Sequence, residues 1–427
     1  MREMKDSGNM WIGAVPETWK MIPLKYLVSY NDEVLSENTD DEFEFDYIEI
    51  GSVQYGRGII CTEHIKFKNA PSRARRIVRK DDIIVSTVRT YLKAVATIPD
   101  CNNSLIASTG FIVIRPHKIL PRFMNYVLLS ESFISLVESH STGISYPAIN
   151  SVDVVKFKIP VPCRSEQERI AAFLDAECAE IDAVLEKTRA SIEEYKKLKQ
   201  AVITQAVTKG VRGDRPMKDS GIEWIGEIPV EWSVVRIKNL FDYRNERNYK
   251  PLDEVNLISL YTDKGVVQHR DLEETTGNKA SNADGYKLVY KNDIVVNIIL
   301  CWMGAIGRSA YYGVTSPAYD VYSPKQGINS KFYHYLFRTN GFNGDCYKVG
   351  RGIMAMRWRT YSDQFRAIKV VFPPQSEQEE IINYLDEKCA GIDALIAKKQ
   401  QHFTEIENYK KSLIYEYVTG KKEVHPL

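Results

Sequence analysis

The stretch SEQERIAAFLDAECAEIDAVLEKTRASIEEYKKLKQAVITQAVTKG, Ser165 to Gly210, decides how this 427-residue chain is read. It holds no Pro or Gly before Gly210 and is built of strong helix formers. It therefore predicts one helix of about 40 residues, roughly 60 Å long at about 1.5 Å per residue. Pro160 and Pro162 precede it, and Ser165 with Glu168 reads as a capping box. Ile181, Leu185, Ile192, Tyr195, Val202 and Ala206 fall close to a heptad seam. The string S-E-Q-E recurs at Ser376, an offset of 211, and that offset carries the seam onto Ile392, Ile396, Phe403, Ile406, Leu413 and Tyr417. One such stripe is what any core-facing helix shows. Two matched helices of this length are hard to bury apart in a compact domain, so they are expected to pack on each other, antiparallel about a pseudo-twofold. Cys178 and Cys389 coincide under the offset and read as one buried helix position used twice.

Outward from the helices, MKDSG-x-x-WIG-x-x-P begins at Met4 and again at Met217, an offset of 213. The chain is thus two copies of a unit of about 210 residues, each with a lead-in, a mixed segment and a helical tail. The predicted organisation is a lead-in at 1–18, a mixed domain at 19–162, a helix at 165–210, a linker and second lead-in at 211–231, a mixed domain at 232–374 and a helix at 376–421. The fold class is α+β: two mixed α/β domains joined by two long antiparallel coiled-coil-like helices in an internal pseudo-twofold repeat. Within the mixed segments, Asp82–Val85 and Asp293–Val296 follow lysine turns at Lys80 and Lys291 and read as core strands. Phe111–Ile114 and Ala318–Tyr322 read as later strands, and 122–138 and 330–339 as helical. The segments share little else, which suggests two versions of one module with different specificities.

With 57 Lys+Arg against 56 Asp+Glu, 44% apolar and 26% charged residues, the composition is that of a soluble globular protein and excludes disordered, collagen-like and disulfide-scaffold classes. The polar start and the lack of any long apolar run lead us to expect a cytoplasmic protein without a membrane span. Cys61, Cys101, Cys163, Cys178, Cys301, Cys346 and Cys389 are scattered and read as reduced thiols, mostly buried. Charge is segregated, however. Residues 51–164 hold sixteen Lys+Arg against seven Asp+Glu, and 286–375 hold twelve against four, while the acids collect in 31–49, 242–284 and the tails. Basic segments interleaved with aromatics suit nucleic acid. The candidates in the first module are Arg73, Arg75, Arg76, Arg79 and Lys80, then Arg89, Tyr91 and Lys93, then Ser141, Thr142, Ser145 and Tyr146. In the second they are Asn297, Trp302 and Arg308, then Arg351, Arg357, Trp358 and Arg359. Arg is the usual bidentate reader of guanine and Asn of adenine. Each alone is more often a solvated charge or a structural pair; two basic modules on one frame point to a two-headed nucleic-acid binder.

No catalytic constellation accompanies them. The sequence has neither a G-x-G-x-x-G after a strand nor a Walker A string, and its seven histidines lack metal-site spacing. Phe372-Pro373-Pro374 has its aromatic on the wrong side for the Asn/Asp-Pro-Pro-aromatic loop of an aminomethyltransferase. No metal and no cofactor of its own are expected.

KDSGIEWIGEIPVEW at Lys218–Trp232, its weaker copy at Lys5–Trp19, the two S-E-Q-E strings, and VTKG at Val207 and VTGK at Val418 together resemble the specificity subunit of type I restriction-modification systems, across essentially the whole chain. Inside the modules, ASTGFIVIRP at Ala107 and CWMGAIGRSAYYGVTSPAYDVY at Cys301 resemble two target-recognition subtypes. The departures are Asn9-Met10 where the second copy has Ile222-Glu223, and Cys163 in place of a second proline. The resemblance implies two target recognition domains, each reading half of a split double-stranded DNA sequence, with paired antiparallel helices as a ruler. It implies docking of two adenine-N6 methyltransferase (modification) subunits and of motor-nuclease (restriction) subunits. S-adenosylmethionine, ATP and Mg belong to those partners, and the specificity subunit itself is non-catalytic. A different reading of the same residues is a coiled-coil scaffold whose basic modules bind another polyanion. On either reading, Leu413→Asp is expected to bury an unpaired charge in the helix seam; an unaltered melting temperature by circular dichroism would contradict the packing.

Overall fold

The computed structural model describes residues 2–100, 104–271, 282–352 and 358–424. Cys101 and Arg357 lie outside the described residues. The chain forms two compact units: Met1–Arg189 with Gln401–Leu427, and Ala190–Gln400. The first long helix is Arg164–Lys209 and the second Gln375–Val418.

Within the first unit, Asp182 pairs with Lys410 at 2.6 Å, and Arg189 lies 5.1 Å from the Phe403 ring. Within the second, Lys199 pairs with Asp393 at 2.6 Å and Lys399 lies 5.5 Å from the Tyr195 ring. In each unit numbering rises along one helix as it falls along the other, so the paired segments run antiparallel. Ile181, Leu185, Phe403 and Leu413 are buried in the first core, and Ile192 is also buried. Tyr195, Val202, Ile392, Ile396 and Ile406 of the predicted seam are only half-buried. Ala206 of the predicted seam is buried too, and beside the seam Val207, Ile381 and Leu385 are fully buried, with Ile203 and Ile414 nearly so. A straight helix drifts about 20° per heptad against a strict seven-residue repeat, so the buried stripe shifts along its length. Cys178 and Cys389 are buried as the offset predicted.

The expected capping box does not form. The helix begins at Arg164, Ser165 lies inside its first turn, and Glu168 accepts from Arg164 Nε at 3.0 Å. The Cys163 carbonyl receives the Glu166 and Gln167 N–H groups, as the Pro374 carbonyl receives those of Glu377 and Gln378. The inner two residues of S-E-Q-E carry the repeat's meaning. Trp19 Nε1 donates to Glu166 at 3.0 Å and Trp232 Nε1 to Glu377 at 2.8 Å. Arg2 pairs with Glu166, and Arg215 with Glu377. Gln167 Oε1 accepts the Leu120 N–H at 2.9 Å and Gln378 Oε1 the Asn329 N–H at 3.2 Å, where a domain helix starts in each unit. Each tryptophan follows a lead-in hairpin, Met4–Asp6 with Ala14–Pro16, or Met217–Asp219 with Glu227–Pro229. Its turn is made by Asp6 or Asp219 accepting from Gly8 or Gly221, which sit at φ +69° and +66°.

The mixed domains are closed by pairing their first and last strands, Lys20–Pro23 with Lys158–Val161 and Ser233–Arg236 with Lys369–Phe372. Each has an antiparallel four-stranded sheet. Its order is Val95–Thr97, Ile83–Ser86, Phe111–Pro116, Val28–Tyr30 in the first unit, and Ile306–Arg308, Ile294–Asn297, Tyr319–Pro324, Phe241–Arg244 in the second. The predicted strands are its central pair. The predicted helix at 122–138 is two, Pro121–Leu129 and Glu131–Ser139, with the Ser130 hydroxyl capping the second. Asp82 and Asp293, both buried, precede the central strands after a residue in the left-handed region, Asp81 at φ 68° and Asn292 at φ 78°. Asp82 is held by Arg115 from the third strand of its sheet, whereas Asp293 is held by Arg244 from the neighbouring edge strand. The unit-1 domain adds a second four-stranded sheet in the order Glu63–Lys66, Glu44–Ile48, Leu105–Ser108, Ala74–Val78; among the described residues of unit 2 its place is taken by two-stranded pairs.

Glu377→Ala strips Arg215 and the Trp232 indole of their buried acceptor and is expected to cost about 3–5 kcal/mol in denaturant unfolding. His334 Nδ1 accepts the Arg308 N–H at 3.2 Å. Burial, then the cations Arg338, Arg308 and Lys331, hold its pKa down at about 3. This lies below the ordinary value of about 6.5, so the stabilising neutral form is fully present above about pH 6.5 and the benefit is lost as pH falls. Moving from pH 7 to pH 5 is expected to cost about 2 kcal/mol through this group. His334→Gln should flatten that pH slope in thermal melts.

Candidate nucleic-acid interface

In the first unit, strand Ile83–Ser86 exits into loop 87–93 and helix Glu131–Ser139 exits into loop 140–150. The two loops are joined: Ile149 N–H donates to the Thr87 carbonyl at 2.8 Å, Val88 bridges Ala148, and the Thr90 hydroxyl donates to Ser141 at 2.9 Å. Arg89 and Lys93, both at φ 52°, adopt a left-handed backbone costly for side-chain-bearing residues. The Arg89 guanidinium lies 5.2 Å from the Tyr146 ring. Lys93 stands 3.7 Å from Glu138. Thr142 pairs its backbone with Ala148, Ser145 is exposed beside it, and Tyr91 and Tyr146 are 52% and 65% exposed. The structure thus brings Arg89, Tyr91, Lys93, Ser141, Thr142, Ser145 and Tyr146 onto one pair of loops. Among the described residues no carboxylate pairs with Arg89. The run from Arg73 to Lys80 is different. Arg79 pairs with Glu33 at 2.6 Å, Lys80 with Asp100 at 2.7 Å, and Arg75 lies over the Phe67 ring. Burial pulls the Arg76 guanidinium below its ordinary pKa.

The second unit builds the same pair. Strand Ile294–Asn297 exits into loop 298–305 and helix Asn340–Val349 into 350–361, and Thr360 N–H donates to the Ile298 carbonyl at 2.9 Å. This bond is the counterpart of Ile149 to Thr87 under the offset of 211. Trp302 is half-buried against Tyr347, ring centroids 5.6 Å apart, and Tyr347 stacks on Trp358 at 5.0 Å. Gly350 is required there, since a Cβ would lie 2.3 Å from Trp358 Nε1. Arg351 and Arg359 exchange backbone hydrogen bonds and have no carboxylate partner among the described residues.

Two predicted residues are placed otherwise. Asn297 is buried and its carboxamide oxygen accepts the Ile299 and Leu300 N–H groups, so it shapes the loop from within. Arg308 pairs with Ile294 at the opposite end of the hairpin from the loop, about 10 Å away over a strand of this length. There it bonds Asn292, and burial lowers its pKa. The exposed apolar residues Leu92, Ile144, Leu300, Met303 and Tyr361 also belong to these loops, with Tyr347 in the last turn of the helix leading into one of them, and were not singled out from sequence. Nothing in an apolar residue type signals exposure at a loop tip.

Two copies of one mixed α/β module, each followed by a long helix and each presenting a joined loop pair with cationic and aromatic side chains, define a two-module protein. The chain belongs to the family described as the type I restriction modification DNA specificity domain, which it matches twice, over residues 16–194 and 229–405. It is 25% identical to the type I restriction enzyme MjaVIII specificity subunit of Methanocaldococcus jannaschii, covering 97% of this chain and 95% of that one. It is 25% identical to the EcoDI specificity subunit of Escherichia coli over 72% of each chain. A chain from a solved structure concerned with complex assembly and conformational transition of the type I R-M system shares the fold, with a TM-score of 0.71 at 19% identity over 96% of this chain and 99% of that one. Among the described residues no helix is long and apolar enough to cross a membrane.

Arg89→Ala is expected to weaken DNA binding by about 1–3 kcal/mol. Lys80→Ala and Arg308→Ala, which alter locally occupied cations, should change it little. A salt-controlled binding assay in which Arg89→Ala binds like the wild type would remove that residue from the surface.

Proposed function

We propose that this chain is the DNA-sequence specificity subunit of a type I restriction-modification complex, reading a target in two halves, one with each unit. The observation that carries this is the loop pair, tied by the same backbone bond in both units yet lined by Arg89, Tyr91 and Tyr146 in one and Arg351, Arg359 and Tyr347 in the other. An identical frame with different side chains at its tip is what two specificities on one scaffold require. Phosphate contacts from the unpaired cations would supply register and salt-dependent affinity, and a few groove contacts would choose the bases. The subunit contributes recognition and no chemistry. Two adenine-N6 methyltransferase subunits and the motor-nuclease subunits dock on it and carry S-adenosylmethionine, ATP and Mg. Its place is the cytoplasm, where the host DNA is modified. The relatives named as specificity subunits support this reading.

Methylome sequencing of a methylation-free host expressing the chain with its modification subunit is expected to show one split motif with an N6-methylated adenine in each half. Replacing residues 87–93 should alter one half alone. A continuous motif, or none, would refute the assignment.

A further inference from the structure

The two reading loops differ in chemistry. Loop 87–93, TVRTYLK, carries two cations, whereas no charged residue occurs from Ile294 to Gly307 and the second unit's loop reads IILCWMG over 298–304. Its tip is apolar and open: Leu300 is 38% and Met303 51% exposed. It is also stiff. Asn297 caps it from within, Met303 N–H donates to the Leu300 carbonyl at 2.9 Å, and Gly304 turns the chain at φ 87°. Cys301 is fully buried beneath, and Trp302 is wedged on the Tyr347–Trp358 stack. A rigid loop that holds two apolar side chains in water loses little entropy when a ligand covers them. Arg351 and Arg359, on the adjoining loop and without carboxylate partners among the described residues, make that ligand an anion. An anionic surface with isolated apolar groups is what a duplex offers in its major groove, where the thymine 5-methyl is the apolar feature between phosphates.

We propose that Leu300 and Met303 read thymine 5-methyl groups in the half-site bound by the second unit, with Arg351 and Arg359 on the flanking phosphates. This rests on the reading of the chain as a DNA specificity subunit. The probe is deoxyuridine in place of thymidine, which removes the methyl and leaves every hydrogen-bonding group. Duplexes carrying the methylome-defined site are substituted in one half, the other half, or neither, and titrated with the full chain assembled with its modification subunits. Substitution in one half is expected to weaken binding about fourfold per contacted methyl, about 0.8 kcal/mol. Leu300→Ala with Met303→Ala should weaken binding of the unsubstituted site toward that of the substituted one and abolish the further penalty of substitution. A penalty in neither half, or one that the double variant leaves in place, overturns the proposal while the specificity role stands. So does a double variant that loses only its co-elution with the modification subunits, which would make the loop a protein contact. Failure of the unsubstituted site to bind better than a scrambled duplex would overturn the specificity role itself.

Discussion

The structure hangs on a paired carboxylate in the first turn of each long helix, fully buried in the second and partly buried in the first. Glu377 is almost wholly enclosed, and it takes the Trp232 indole N–H and the Arg215 guanidinium together, with that guanidinium 5.6 Å from the indole ring. Glu166 does the same for Trp19 and Arg2. A buried ion pair gains little net stability over an apolar filling, but it tolerates only one arrangement of its partners. The arrangement chosen here locks a lead-in hairpin, the first strand of a mixed domain and the first turn of a helix at one point. In the first unit it also reaches Glu423 through Arg2, so both ends of the described chain are drawn into one unit.

From that point the frame carries outward to the loop pairs by short steps. The adjacent glutamine, Gln167 or Gln378, fixes the start of a domain helix, and the domain's sheet is stiffened by a buried aspartate before its central strand. The aspartate is kept in both copies while its arginine comes from different strands, Arg115 in one and Arg244 in the other. What must persist is a paired charge at that turn, and it is delivered by the adjacent strand in one unit and by the strand beyond it in the other. A frame secured in this way leaves the loops above it free to carry different chemistry, cationic around Arg89 and apolar around Met303.

The same logic separates structural from functional charge. The run from Arg73 to Lys80 is the densest basic stretch of the first module, yet Arg79 and Lys80 face acids that neutralise them, and Arg75 lies on an aromatic face. Arg89, Arg351 and Arg359 sit in sparser sequence and have no carboxylate partner among the described residues. Density of positive charge along a chain is a poor guide to the potential a ligand meets, because pairing at close range removes most of it.

Sequence by itself determined the repeat, the two long helices, the central strands and the family to which these motifs lead, because helix propensity, apolar runs and recurring strings are local or self-referential properties. The residues it grouped around Arg89 and Tyr146 do lie together on one pair of joined loops, since strand exits and polar loop tips are marked by residue type. Only the tertiary structure decided that Asn297 faces inward, that Arg308 stands at the wrong end of its hairpin, that Ser165 is no cap, and that Ile203 and Ile381 outweigh Val202 and Ile392 in the packing. Each of those outcomes depends on a partner remote in the chain, as Arg79 depends on Glu33, 46 residues away. Whether a cation is free or an apolar side chain covered is a property of the neighbours that folding supplies, and no local pattern encodes it.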